Sequence, residues 1–175
     1  MTRRNIASSA KTFENPINSV GYLTRITFRS FSRTLERLTL PHGVTAGQWR
    51  FLRVLWQEEG LTQRELSRRV GMREPTTVTA LAGMEKAGLV RRKQSTEDRR
   101  KAHVFLTPKA RRLRDKLMPL VAHVNTVAAT GISADDMATL KRVLLKMSEN
   151  LAADEMAYLA NRANGDGMPV GDEQP

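Results

Sequence analysis

The residues of this chain that are best suited to contact another molecule lie between Thr62 and Lys101, where hydroxyl, amide and cationic side chains cluster. Short polar side chains can hydrogen-bond to base edges, and cations can neutralise phosphates and release their counterions. The pattern therefore indicates contacts to nucleic acid. The candidate DNA-contacting residues are Thr62, Gln63, Arg73, Thr76, Thr77, Thr79, Arg99, Arg100 and Lys101.

Two interpretations of these residues remain open. The threonines at 76–79 can read base edges, or they can only cap and solvate a helix, and the helix alone does not separate the two. A charged loop such as Gln94 to Lys101 is usually only solvated. Its position after a helix-turn-helix pattern favours the functional interpretation, because a hairpin tip there can reach the minor groove or flanking phosphates.

Two short helical patterns are expected to position the polar residues between Thr62 and Thr79. Thr62 and Glu65 have the spacing of a capping box, and Gly71 supplies a turn. Pro75 suits the first turn of the second helix, since its fixed φ is already helical. The side of this helix predicted to face inward carries Val78, Leu81 and Met84.

The cationic residues Arg99, Arg100 and Lys101 belong to a predicted β-hairpin. Residues 89–93 and 102–106 are expected to be strands, with Val104 and Leu106 on one face. The eight residues between them are too polar to be buried. The order is that of a helix-turn-helix followed by a β-wing, so the predicted fold class is mainly α with a small β-wing.

Composition supports a polyanionic partner. The 29 Lys and Arg residues exceed the 18 Asp and Glu residues, which gives a net charge of +11 and a pI of about 10.8. The absence of cysteine excludes a disulfide framework and fits a reducing cytoplasm. We see neither a membrane-spanning apolar run nor a signal peptide, so a cytoplasmic protein without membrane contact is expected.

Enzymatic chemistry has little support in the sequence. His42, His103 and His123 are far apart, and none lies in a metal-binding motif such as H-x-x-x-H. There is no glycine-rich phosphate loop, and the serines have no evident base. We therefore expect no catalytic residues, no metal and no cofactor, with His103 on the exposed face of a wing strand.

Helical patterns flank the predicted winged helix on both sides. An apolar stripe recurs at steps of three and four from Ile17 to Leu38 and ends before Pro41, which favours a dimer interface. Thr45 is the predicted N-cap of the next helix. Both of its tryptophans are expected to pack in the core, with Trp49 the likelier exception because it lies near the helix start.

The C-terminal part contains two more helices. The first follows Pro108 and has Pro119 inside it, which should kink it or leave a hydrogen bond open. Ser133 is expected to cap the last helix, which continues to about Leu159. The predicted domains are a flexible tail at 1–15, a helical dimerisation region at 16–42 and 108–160, a winged helix-turn-helix at 43–107, and a disordered tail at 161–175.

Several short motifs match those of a known family. They are Leu66 with Val70-Gly71, Thr76 to Val78, Leu81, the run from Met84 to Val90, Asp98-Arg99-Arg100, and Leu106-Thr107. With these motifs, over roughly residues 18–150, the chain resembles the MarR family of bacterial winged helix-turn-helix transcription regulators. It departs from the family where Glu74 replaces the serine that often precedes the helix proline. Arg100 takes the arginine position of the D-x-R wing signature.

The resemblance implies a homodimer on a pseudo-palindromic operator in double-stranded DNA, and a cleft for a small-molecule effector. Arginines beside aromatic rings suit an anionic aromatic compound or an acyl thioester. The expected function is a ligand-responsive regulator, most simply a repressor that the effector releases. The residues that would line the cleft are Arg25, Phe28, Arg29, Thr45, Trp49 and Arg53.

Other interpretations stay open at this point. The three arginines of the expected cleft can equally be solvated helix residues. The basic charge also permits a nonspecific architectural DNA-binding protein, and a winged helix can serve as a protein-interaction module. Competition with random DNA separates an architectural DNA-binding protein from a regulator. Binding to the DNA that flanks its own gene separates a protein-interaction module from a regulator.

Overall fold

The structure, a computed structural model, describes residues 15–95, 98 and 101–163. The helices are α1 (Val20–Thr39), α2 (Ala46–Leu55), α3 (Gln63–Val70), α4 (Glu74–Lys86), α5 (Pro108–Ala128) and α6 (Ala134–Ala163). The strands are β1 (Leu61–Thr62), β2 (Val90–Gln94) and β3 (Ala102–Leu106). Short 3-10 turns at Pro16–Asn18 and Leu40–His42 bracket α1. The predicted fold class, mainly helical with a small β-wing, is confirmed.

Local sequence signals explain where the helices begin. Ser19 caps α1, and Thr45 caps α2 in a capping box with Gln48. Ser133 accepts a hydrogen bond from the backbone N–H of Asp136 at the start of α6. The predicted N-caps at Thr45 and Ser133 are therefore confirmed. Helix α5 runs through Pro119 as one α-helix.

The sheet has three antiparallel strands in the order β1-β3-β2. Strands β2 and β3 form the predicted hairpin, with Val90 opposite Leu106 and Gln94 opposite Ala102. Strand β1 pairs Leu61 with Val104 on the other edge of β3 and was not predicted.

The chain divides into two compact units after Ala128. In the first unit, α1 packs on α5, and Leu117 of α5 belongs to the same apolar core as the winged helix. Helices on both sides of the winged helix therefore share its core, and the division into DNA-binding and dimerisation regions at residues 42 and 107 stays a prediction. Side chains with less than 2% exposure in this core include Phe51, Leu52, Leu55, Leu66, Leu81, Met84, Leu89, Leu106 and Leu117.

The second unit consists of α6 within the described range. It continues to Ala163, so the expected disordered tail at 161–175 begins too early, and the helical pattern extends beyond Leu159. The rest of that tail, like residues 1–14 of the expected N-terminal tail, lies outside the described residues. No helix in the described part of the chain is long and apolar enough to cross a membrane.

Candidate nucleic-acid interface

The first helix of the helix-turn-helix, α3, begins at the predicted capping box. Thr62 Oγ1 accepts from the Glu65 backbone N–H at 3.3 Å, while Glu65 Oε2 accepts from the Thr62 backbone N–H at 2.8 Å. The Thr62 hydroxyl also donates to Glu65 Oε2 at 2.7 Å. These bonds favour the charged carboxylate and lower the pKa of Glu65. The Thr62 hydroxyl is therefore engaged within the capping box of α3. The neighbouring Gln63 is half-buried.

The turn after α3 depends on one glycine and one serine. Gly71 ends the helix with φ of 71°, a conformation that residues with a Cβ rarely adopt. The buried Ser67 hydroxyl donates to the carbonyl of Met72. Together these features fix the direction in which the chain enters α4, as the helix-turn-helix pattern predicts.

The second helix, α4, is rotated relative to the sequence-based expectation. Thr77 is fully buried on the inner face with Leu81 and Met84, whereas Val78 is 45% exposed. The prediction of Thr77 as a DNA contact is therefore wrong, because its position one turn before Leu81 places it in the core. The inward assignment of Val78 is wrong for the same reason.

The other predicted residues of this helix do reach the surface. Arg73, at the N-cap, and Thr76 and Thr79, in the first two turns, are exposed. The Thr79 hydroxyl donates to the carbonyl of Pro75 at 3.2 Å. The start of α4 thus presents one guanidinium and two short hydroxyl side chains to solvent.

The wing tip lies where β2 and β3 meet. The Ser95 backbone N–H donates to the Lys101 carbonyl at 2.9 Å, and the Lys101 N–H donates to the Asp98 carbonyl at 2.9 Å. The exposed Lys101 ammonium is 3.9 Å from Asp98 Oδ2. Arg99 and Arg100 lie outside the described residues, so their contacts with DNA stay predictions.

A cleft of about 810 Å³ lies between α3, the start of α4 and the end of the wing. It brings together Thr62, Gln63 and Lys101 of the predicted contacts. Two arginines of α3 and Glu74 also line it. These arginines, Arg64 and Arg68, are not among the predicted contacts. The full lining is Thr62, Gln63, Arg64, Glu65, Ser67, Arg68, Glu74, Lys101 and Ala102.

Ion pairs join the wing to α4 and the start of α5 to the loop before β1. Glu85 of α4 accepts from both the backbone N–H and Nε of Arg92 in β2, at 3.0 and 2.9 Å. Glu59 accepts from Arg111 Nε and Nη2 at 2.8 and 2.7 Å, and from the Leu106 N–H at 3.0 Å. The hydrogen bonds from each arginine lower the pKa of Glu85 and of Glu59. Glutamate and arginine 7 and 52 residues apart are not a recognisable sequence signal.

The start of α5 also makes side-chain to backbone hydrogen bonds with the winged helix. Thr107 Oγ1 donates to the Gly88 carbonyl at 2.7 Å, and Lys109 Nζ donates to the Ala87 carbonyl at 2.9 Å. Trp56 Nε1 donates to the Ala110 carbonyl at 3.0 Å. Thr107 and Lys109 therefore join the beginning of α5 to the residues that follow α4, and Trp56 joins it to the end of α2.

The residues expected to bind an effector are only partly brought together. Phe28 is 52% exposed, and the guanidinium of Arg50, a residue outside the predicted set, lies 5.0 Å from its ring centre. Arg25 lies over the Tyr22 ring at 5.4 Å. Arg25, Arg29 and Arg53 are exposed.

Trp49 and Thr45 differ from that expectation. Trp49 is only 6% exposed and packs edge-on against Trp56, with ring centres 5.5 Å apart. The expectation that the tryptophans pack in the core is therefore confirmed for Trp49, and the exception considered for this residue does not apply. The Thr45 hydroxyl accepts from the Gln48 N–H and serves as the helix cap.

His103 also differs from its expected exposed position. It is half-buried, and its Nδ1 lies 2.7 Å from the Gly60 carbonyl oxygen. The unpredicted strand β1 explains this contact, because it places Gly60 and Thr62 alongside β3.

The helix-turn-helix, the hairpin and the third short strand define a winged helix-turn-helix protein. The family model described as the MarR family matches residues 44–102. The transcriptional regulator TtmR of Methylorubrum extorquens is 34% identical over 124 residues, which cover 71% of this chain and 63% of that protein. This chain thus spans less than two thirds of that relative.

Two solved structures extend the comparison over nearly all of their own length. The structure of the transcriptional regulator PA3341 is 36% identical, with a TM-score of 0.69 over 77% of this chain and 99% of that one. A complex of Staphylococcus aureus MepR with DNA shares the fold at 21% identity, with a TM-score of 0.69 over 75% and 98% of the two chains. The chain belongs to the MarR family, whose members are DNA-binding transcriptional regulators and not enzymes.

Proposed function

We propose that this chain is a homodimeric, sequence-specific regulator that represses transcription from a pseudo-palindromic operator and is released by a small anionic effector. The observation that carries the proposal is the start of α4, where Arg73, Thr76 and Thr79 are exposed and the first helical residue, Glu74, shares a cleft with Lys101 of the wing. A helix in the major groove reads base edges with such N-terminal residues, while a wing contacts the flanking backbone.

Dimerisation is supported by apolar side chains that remain exposed in each unit. Such a surface on a single chain is typical of an interface that a second copy covers. On α1 the exposed residues are Val20, Leu23 and Phe28, preceded by Ile17. On α6 they are Leu140, Val143, Leu144, Leu145, Leu151, Met156, Tyr158 and Leu159.

The test of sequence-specific binding is fluorescence anisotropy with DNA that flanks the chain's own gene, in competition with random duplex DNA. A regulator should prefer its site by roughly a thousandfold or more at fixed salt. Equal affinity for both DNAs would reject a sequence-specific regulator in favour of an architectural role.

The wing is tested separately by Arg100→Ala. Loss of one phosphate or minor-groove contact should weaken operator binding and reduce the salt slope by about one. The matched control is Arg69→Ala on α3, because Arg69 pairs with Glu58 and does not line the cleft. An unchanged affinity of the Arg100 variant, or an equal loss in both variants, would contradict the proposed wing contact.

The effector surface is proposed on α1 and α2 around the exposed ring of Phe28. Arg25, Arg29 and Arg53 supply cations there, and Arg50 already lies over the ring. A carboxylate or phosphate can pair with a guanidinium while its aromatic or acyl part covers Phe28. Binding would favour a spacing of the two DNA-binding lobes that no longer fits the half-sites.

Aromatic carboxylates and coenzyme A thioesters, with the neutral amides of the same rings as controls, can be titrated against the protein. We expect the anionic compounds to change tryptophan fluorescence, because Trp49 and Trp56 lie on α2 and at its end, and to lower operator affinity. If no anion changes either signal, or if amides act equally, the proposed effector class is wrong.

A further inference from the structure

Glu74 is one of two acidic side chains in a cleft that also contains three cations, and the other, Glu65, already accepts hydrogen bonds from Thr62 in the capping box. Glu74 is the first residue of α4 and lines the same cleft as Arg64, Arg68 and Lys101. A surface that only binds phosphates gains nothing from a carboxylate, since like charges repel. The position of Glu74 therefore calls for a more specific explanation than backbone binding.

The contacts of Glu74 leave its carboxylate accessible. Its Oε1 lies 3.6 Å from Nε of Arg64, and the two side chains are 61% and 87% exposed. An exposed ion pair of this length is weak. The N-cap, Arg73, makes no side-chain hydrogen bond to the helix. A carboxylate has about four lone-pair sites, so one distant guanidinium does not saturate it.

The major groove offers a matching donor. Cytosine presents its N4 amino group there, whereas guanine presents only acceptors, and adenine places the N7 acceptor beside its amino group. A carboxylate at the first position of a recognition helix thus prefers cytosine to adenine, whose amino donor lies beside an acceptor, and is repelled by the acceptors of guanine and thymine.

We propose that Glu74 is a specificity-determining residue that accepts a hydrogen bond from N4 of one cytosine in each half-site, with Arg64 as its counter-ion in the DNA-free protein. The inference rests on the proposed function and adds the identity of one base. Glu74 also lies where the positive end of the helix dipole favours an acid, and that stabilising role alone would not select a base.

The first test selects binding sites from random duplex DNA with the full-length wild-type chain, Glu74→Ala and Glu74→Gln. Removing the carboxylate should reduce the preference for cytosine at one symmetry-related position by roughly tenfold. The Gln variant should shift that position towards adenine, because an amide can pair with both N6 and N7. Glu58→Gln is the matched control, since it removes the same charge outside the cleft.

The second test replaces the selected cytosine with N4-methylcytosine, which still pairs with guanine but presents a methyl group to the major groove. The wild-type chain should lose roughly tenfold in affinity on this DNA, and Glu74→Ala should lose little. Thermal unfolding of each variant distinguishes this effect from a change in helix stability.

The outcomes separate the two proposals. If the wild-type chain selects no sequence, the proposed function fails and the role of Glu74 fails with it. If the wild-type chain selects a site, and both Glu74 variants keep every base preference, the role of Glu74 alone is overturned. A shift of preference confined to one cytosine, absent in Glu58→Gln, supports it.

Discussion

Thr77 is fully buried, and its hydroxyl has no hydrogen-bond partner within the described part of the chain. Leaving a buried hydroxyl unsatisfied costs about 1–3 kcal/mol. Its γ-methyl group nevertheless suits the core position that it shares with Leu81 and Met84. The Thr77 methyl group therefore packs in the core on the inner face of α4, whereas its unpaired hydroxyl destabilises the folded chain.

We expect Thr77→Val to raise the free energy of unfolding by about 1 kcal/mol, because it removes the unsatisfied hydroxyl at nearly constant shape. Urea unfolding measures the change. Thr76→Val, on the exposed face, should alter stability by less than about 0.5 kcal/mol. A clear loss of stability in the Thr77 variant would mean that its hydroxyl has a partner in solution.

The same residue shows why helix phase was hard to predict. Leu81 and Met84 are compatible with an inner face that begins at either Thr77 or Val78, since these neighbours are about 100° apart around the axis. Hydrophobicity favours Val78 as the residue on the inner face, but the packing of α4 places Thr77 there. Residue types alone do not contain that packing information.

At the scale of elements, local signals predicted most boundaries. The capping boxes at Thr62 and Thr45 act within four residues, so the sequence contains both partners. Strand β1 is different, because its two residues form a strand only by pairing with β3 some 40 positions later. The Glu59–Arg111 pair was missed for the same reason.

The capping role of Thr62 predicts a stability effect. Thr62→Ala should lower the free energy of unfolding by about 1 kcal/mol, because two hydrogen bonds at the start of α3 lose their hydroxyl partner. Chemical denaturation is the measurement, with the exposed Thr76→Ala as the control. A variant as stable as the wild-type chain would show that the capping box is not formed in solution.

The ion pair between Glu59 and Arg111 predicts a pH dependence. Arg111 lowers the pKa of Glu59 below its usual value of 4.5, so the pair stabilises the folded chain above that value. This contribution is lost as the pH falls through the lowered pKa. The melting temperature of the wild-type chain should therefore exceed that of Glu59→Gln at pH 7, and the difference should shrink below about pH 4.5.

Glu58→Gln serves as the control for that pH series, because the Glu58–Arg69 pair is exposed and joins only the loop before β1 to α3. A difference between wild type and Glu59→Gln that stays constant from pH 7 to pH 3 would contradict an ionic contribution of Glu59.

At the scale of the whole molecule, the exposed apolar side of α6 predicts self-association. Leu144→Asp should convert a dimer into monomers, since a charge within a buried apolar interface is strongly unfavourable. Size-exclusion chromatography with light scattering measures the mass. Arg142→Asp lies about 160° away around the helix and should leave the mass unchanged. Dimers in both variants would mean that this side of α6 is not the interface.

The attachment of α5 has a mechanical consequence. Its first turn is joined to the end of α4 and to Glu59, while its 21 residues give it a length of about 31 Å. Because Ala110 and Leu117 also pack in the core of the winged helix, α5 and the winged helix turn together when the far end of α5 moves. A tilt of about 5° over that length displaces the attached winged helix by nearly 3 Å, roughly the rise of one base pair. Small motions far from DNA can thus be amplified into a mismatch of register.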